Sequence, residues 1–217
     1  MGMVTIPGKN GDFLAVQKFF RNFQSENASV VWAHWNGGSW EVKTILKLPY
    51  LHRFDILTRN GKHYFIGATL CTSKAYKEDW SDPGKIYVAE LPDDLTKEMD
   101  LKIIKEGLTK NHGYSRGKKD GYDISYITCQ EGVFQVEPPK DFESDWKVDC
   151  ILKEPVSDIA VYDVDGDGEE ELITIEPFHG GNFLIRKKEK DGYKEVYRYH
   201  KKFDFGHVVW AGKLRGK

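Results

Sequence analysis

Short runs of alternating or β-branched residues, each closed off by turn residues, recur along the whole chain, while helical periodicity is almost absent. "ASVVWAHW", "RFDILTR", "HYFIGATL", "YDISYITC" and "ELITIEPF" are of the strand kind, and "TRNGKHY", "SDPGK", "DGDGEE" and "KDGYK" separate such runs. A half-buried strand wants this period of two, and Asn-Gly or Asp-Gly between two runs marks a tight hairpin. The chain is therefore expected to be all-β. The one stretch that invites a helix is residues 93 to 106 in "DDLTKEMDLKIIKEG", where Thr, Asp and β-branched residues weaken the propensity.

Internal similarity groups the strands. "YLHRFDILTRNGKHYFIGATLC", "KNHGYSRGKKDGYDISYITCQ" and "VSDIAVYDVDGDGEEELITIEPF" each read as a strand that starts at a polar residue, a turn and a second strand, and "FGHVVWAGKLRGK" repeats the opening. The starting residues are His52, His112, Asp158 and His207, at spacings of 60, 46 and 49 residues. Two more strand-like runs follow each pair. Four strands at a period near 50 residues is the pattern of a β-propeller blade. The expected architecture is a β-propeller of four-stranded antiparallel blades, about four in this chain, over residues 1–49, 50–110, 111–156 and 157–205. In that reading the chain starts in phase with a second strand, "NGDFLAVQKFF", and ends on a closing first strand over 206–217. Two arrangements satisfy the need to cover sheet edges. One is a tight four-bladed closure. The other is a larger ring, completed by a second chain or another copy of this one, or cut short by truncation.

Composition limits the function classes. Lys and Arg number 32 against 34 Asp and Glu, so no basic excess favours nucleic acid. No apolar run approaches the length that spans a bilayer. The opening "MGMVTIPGKNGDF" has neither the charged start nor the apolar core of a secretory signal. Three cysteines, Cys71, Cys129 and Cys150, cannot all pair within the chain, which makes a cytoplasmic protein with free thiols the simplest expectation.

Two constellations carry chemistry. The first is "DVDGDGEEE", where Asp163, Asp165, Asp167 and Glu171 follow D-x-D-x-D-G-x-x-E. Alternate carboxylates in a tight turn converge on one hard cation, and calcium fits such oxygen donors. An EF-hand is disfavoured, because its twelfth position, a bidentate glutamate in that motif, is Thr174 here. The second constellation comes from blade phase. The start of a first strand and the end of a second strand lie on one face of a blade, so His52, His112 and His207, at first-strand starts, and His179, at a second-strand end, share a rim. Converging neutral imidazoles suit a transition metal such as zinc, manganese or iron. Lys74 and Glu131, at second-strand ends, are the candidate bases. Arg53, Tyr114 and Arg116, just after first-strand starts, are the candidate substrate-binding groups. His34, His63 and His200 fall outside this pattern and are expected to be ordinary.

The Asp-rich turn, over residues 156 to 178, resembles the FG-GAP or VCBS type of propeller repeat, whose turns between first and second strands carry such a loop. Together with the histidine-rich face, it is similar to the aldos-2-ulose dehydratase/isomerase group of propellers. That resemblance implies a metal-dependent carbohydrate lyase, dehydratase or isomerase taking a small-molecule or oligosaccharide ligand at a channel mouth. The rival reading is a calcium-stabilised propeller module that binds a sugar or a protein without catalysis.

Overall fold

The structure is a computed structural model that describes residues 2–20, 25–141 and 144–213. The chain forms two compact units. The first comprises residues 1–111 and 138–146, the second residues 112–137 and 147–217.

In the first unit, β1 (Met3–Thr5), β2 (Phe13–Gln17), β3 (Ser29–Trp35) and β4 (Trp40–Lys47) make one sheet, paired in chain order. The strands β5 (Leu51–Arg59), β6 (Lys62–Thr69), β7 (Gly84–Glu90) and β8 (Lys102–Leu108) make a second. In the second unit the third sheet is β9 (Gly113–Lys119), β10 (Tyr122–Cys129), β11 (Gly132–Glu137) and β12 (Lys147–Leu152). The fourth is β13 (Asp158–Tyr162), β14 (Glu171–Glu176), β15 (Asn182–Glu189) and β16 (Gly192–Arg198). All pairings within these sheets are antiparallel. The chain is all-β and built of propeller-type four-stranded blades.

Residue choice explains where each strand sits. The second strand of the later blades is buried on both faces: β10 is buried at all but its first residue, and β14 along its whole length. Their polar members, Asp123, Ser125, Thr128, Glu171, Thr174 and Glu176, are buried along with the apolar ones. The fourth strands, β4 and β16, are mostly exposed and alternate or mix charge. Asn60-Gly61 joins β5 to β6, and Asp120-Gly121 joins β9 to β10. All four residues have positive φ, the backbone that a two-residue type I′ hairpin demands.

Each unit has its own core. Leu14, Val30, Leu51, Phe54, Ile56 and Phe65 anchor the first, joining its two sheets. Ile124, Tyr126, Val133, Ile159 and Leu172 anchor the second in the same way. There β9 and β13 lie side by side, so that the first strands of successive blades are neighbours.

Two expectations are corrected. Residues 93 to 106 form no helix. Asp94 closes a turn by accepting from Thr96 N at 3.0 Å and Thr96 Oγ1 at 2.7 Å, and Lys102–Leu108 then pairs with β7. Leu95 and Met99 are drawn into the core, and the β-branched Ile103 and Ile104 go to the sheet. The closing strand expected over 206–217 is not a strand in its described part, residues 206–213. Residues 214–217 lie outside the described residues. The edge beside β2 is taken instead by β1, through the pairs Met3 with Ala15 and Thr5 with Phe13.

Candidate metal centre and acidic loop

Three of the four selected histidines meet in the second unit, and Ser157 is what brings two of them together. Ser157 stands just ahead of β13, fully buried, with its N–H donating to Ile175 O at 2.8 Å. Its carbonyl accepts from His112 Nδ1 at 3.0 Å and from Thr128 Oγ1 at 3.0 Å. Its hydroxyl accepts from the backbone N–H of His179 at 3.0 Å. His112 precedes β9, next to Gly113. A Cβ at residue 113 would stand 2.3 Å from Thr128 Oγ1, 2.6 Å from Asp158 Cα and 2.7 Å from Ser157 O. Only glycine lets β9 approach β13 this closely.

His179 follows β14 in the turn Pro177–Gly181, with a φ of 49°. The segment after β16 lies along this turn. Phe203 N donates to Gly181 O at 3.2 Å, Gly206 N to Gly180 O at 3.0 Å, and Val209 N to Asp158 Oδ2 at 3.0 Å. These contacts hold His207 beside the other two histidines, with ring centroids 4.9 Å from His112 and 5.3 Å from His179.

The geometry fits a shared cation. His112 Nε2 and His179 Nε2 are 3.2 Å apart. One ligating atom from each of the three histidines lies within 4.8 Å of the others. Two nitrogens on a tetrahedral zinc, each about 2.0–2.1 Å from it, stand roughly 3.3 Å apart. Because His112 Nδ1 faces a carbonyl, it carries the proton, and Nε2 is left with its lone pair. A histidine whose other nitrogen is fixed by a carbonyl is the usual form of a metal ligand. His112 is buried, His179 half-buried and His207 exposed, so the cluster opens on the His207 side. Phe178 stacks on His179 at 4.0 Å, and Phe205 lies parallel to His207 at 5.7 Å. Three nitrogen donors with one open side leave a position for a small ligand.

The other candidates are placed as follows. His52 is the second residue of β5 in the first unit, 6% exposed, its ring 4.9 Å from that of Phe19. The trio is completed within the second unit without it. Lys74 has its donors spent. Its ammonium bonds Lys77 O at 2.8 Å and Asp79 O at 2.7 Å and sits 3.2 Å from the centre of the Trp80 ring. Burial lowers its pKa, yet this geometry pins the loop between β6 and β7 and leaves no idle base. Arg53 is half-buried in β5, and Glu131 is exposed in the turn from β10 to β11. Tyr114 and Arg116 share one face of β9, half-buried and exposed respectively. Cys71 and Cys129 are buried free thiols. Burial pushes Cys71 up to about 12 and raises Cys129 as well, which makes both inert apolar residues. Sequence reasoning missed Ser157, Phe178 and Phe205. The "VSD" before β13 offered no chemical signal for the first. "PFHGG" and "FDFGH" do set a phenylalanine one and two residues ahead of a histidine.

The acidic loop joins β13 to β14 and is folded by its own amides. Asp163 accepts from Gly166 N at 2.7 Å and Gly168 N at 3.1 Å, and Asp165 from Asp167 N at 3.3 Å. Asp167 accepts from Glu169 N at 2.9 Å, and Glu171 Oε2 from Val164 N at 2.8 Å. Carboxylate oxygens of Asp163, Asp165 and Glu171 lie within 4.8 Å of one another. Thr174, at the place of an EF-hand glutamate, is buried in β14 and donates to Glu176 Oε1 at 2.7 Å.

No family model and no curated protein matches the chain. Among solved structures, it is similar to a glycoside hydrolase family 43 arabinoxylan arabinofuranohydrolase from Bacillus subtilis, with a TM-score of 0.49 and 11% identity. That match covers 98% of this chain and 51% of the hydrolase. A sialidase from Trypanosoma rangeli gives a TM-score of 0.45 and 15% identity, over 89% of this chain and 36% of the sialidase. The chain thus spans about half the length of the first structure and about a third of the second.

Proposed function

We propose that His112, His179 and His207 hold a divalent transition metal, zinc, manganese or iron, and that the protein is a metal-dependent lyase, dehydratase or isomerase acting on a carbohydrate. The observation that carries this reading is the pair of Nε2 atoms 3.2 Å apart, one of them in a ring whose Nδ1–H donates to the Ser157 carbonyl and so leaves the Nε2 lone pair facing the other. The residues present fit such an ion in donor type and spacing, and the Ser157 carbonyl orients the His112 ring. A cation bound there supplies a Lewis acid for a carbonyl or hydroxyl oxygen of the substrate. The chain's own groups do the rest. Phe178 and Phe205 wall the centre and limit water. Tyr114 and Arg116, on the strand that His112 introduces, present a phenol and a guanidinium to bind substrate hydroxyls or a carboxylate. Proton removal beside the carbonyl falls to Glu131, a carboxylate of the same unit. The sugar substrate class rests on the resemblance to FG-GAP-type dehydratase propellers.

The test is elemental analysis of the purified protein and of His112→Ala, His179→Ala and His207→Ala, with His34→Ala and His63→Ala as controls. His34 is bonded to Asp12 at 2.8 Å and His63 to Thr58 at 2.9 Å, so neither has a part in the centre. A stoichiometric transition metal in the native protein and both controls, lost in the three variants, is the expected result. Equal metal content in all five variants would remove the centre.

A second reading, a calcium-stabilised binding module without catalysis, has its own observation. Glu171 Oε1 is buried in the acidic loop and accepts no hydrogen bond. Calcium as the sole metal in that analysis would favour it.

A further inference from the structure

We infer that Lys187 is the resident cation of the acidic loop, and that calcium enters only by displacing its ammonium group; this rests on the reading of Asp163, Asp165, Asp167 and Glu171 as a calcium loop. Asp165, Asp167 and Glu171 each give one oxygen to a loop amide. Their other oxygens face Lys187, which reaches across from β15. Its Nζ bonds Asp165 Oδ2 at 2.6 Å and also bonds Asp167 Oδ2, while Glu171 Oε1 stands 3.7 Å away.

That last distance is the informative one. Glu171 is 2% exposed, and Oε1 has no hydrogen-bond partner. The ammonium, engaged by Asp165 and Asp167, stops short of the buried oxygen. A calcium ion draws oxygens to about 2.3–2.6 Å. The loop therefore holds a buried oxygen, Glu171 Oε1, that a calcium ion would reach and the ammonium does not. Entry of calcium is then an exchange of one cation for another. Its affinity is set by what Lys187 gives up, because affinity in such loops follows the net charge of the ligand set.

The experiment is calorimetric titration of calcium chloride into the metal-free full-length chain and into Lys187→Met, Lys187→Arg and the double variant Lys187→Met/Glu171→Gln. Native protein is expected to bind weakly, and Lys187→Met at least tenfold more tightly. Lys187→Arg keeps the charge and should stay weak, which separates loss of the cation from disturbance of the strand. The double variant should lose the gain. If native protein and Lys187→Met bind calcium equally well, the loop is a calcium site and the role of Lys187 is overturned. If neither binds, both the calcium reading and the inference fall. A gain in Lys187→Arg equal to that in Lys187→Met also overturns the inference.

Discussion

Ser157 exposes none of its surface and serves His112, Thr128 and His179 at once. A buried serine with every polar atom engaged fixes its neighbours more firmly than a histidine on a surface turn could fix itself. Gly113 is its steric counterpart, because a methyl group there meets Thr128, Ser157 and Asp158, two of them through the backbone. Backbone cannot rotate aside as a side chain can. Gly113→Ala is accordingly expected to destabilise the protein by about 1–3 kcal/mol, the usual cost of overpacking, and to lower metal content with it. Urea denaturation measures the first. Unchanged stability would mean that β9 and β13 can part without cost. At this scale the histidines were legible because a repeated phase singled them out. The support was not, since serine and glycine recur throughout the chain and only the approach of two strands gives these two their meaning. His52 shows the limit of phase. It shares the position of His112 in its repeat, but it belongs to the first unit, with its ring against Phe19.

Hairpins were the easiest elements to read, because Asn60-Gly61 and Asp120-Gly121 take the positive φ that a tight two-residue turn requires. Residues 93 to 106 misled because their local propensity is mixed and the neighbouring strand β7 decided the outcome. The third sheet shows how a single residue can tie several strands. Glu137 ends β11, 6% exposed, and receives Lys119 of β9 at 2.7 Å, Tyr122 of β10 at 2.8 Å and Lys147 of β12 at 3.6 Å. Burial alone would raise its pKa. The hydrogen bonds from Lys119 and Tyr122, with the two ammonium charges, outweigh burial and bring it down from 4.5 to about 2. The folded protein thus keeps this carboxylate ionised in a range where the unfolded chain takes up a proton. Its stabilisation is complete above the ordinary carboxylate pKa and is lost as pH falls through about 2. Melting temperatures taken from pH 6 to pH 2 should therefore fall less steeply in Glu137→Gln than in the native chain, and that variant should be less stable by about 1–3 kcal/mol at neutral pH, as for loss of bonds to a buried charged group. Parallel pH curves for the two proteins would rule Glu137 out as a source of acid sensitivity.

The whole molecule is two compact units, each with its own pair of blades and its own core. This division was not visible in the sequence, because repeat spacing reports blades and says nothing of where contacts are densest. Its consequence concerns the proposed metal centre. All three histidines of the centre belong to the second unit. A ligand that binds only a folded state stabilises that state by mass action, by about 2.7 kcal/mol at one hundred times its dissociation constant, which slows exchange through unfolding by about 100-fold. Zinc added to chelator-treated protein should therefore slow amide exchange most in β10 and β14, the buried strands of the unit that supplies the ligands. The exchange of β6, the corresponding strand of the first unit, should change far less. His207→Ala should abolish the difference, since it removes a ligand from an exposed segment and leaves both cores intact. Hydrogen exchange followed by mass spectrometry, with and without zinc, reads all three strands in one experiment. Equal slowing in β6 and β14 would show that the two units open as one, and no slowing in either would show that the three histidines do not bind zinc.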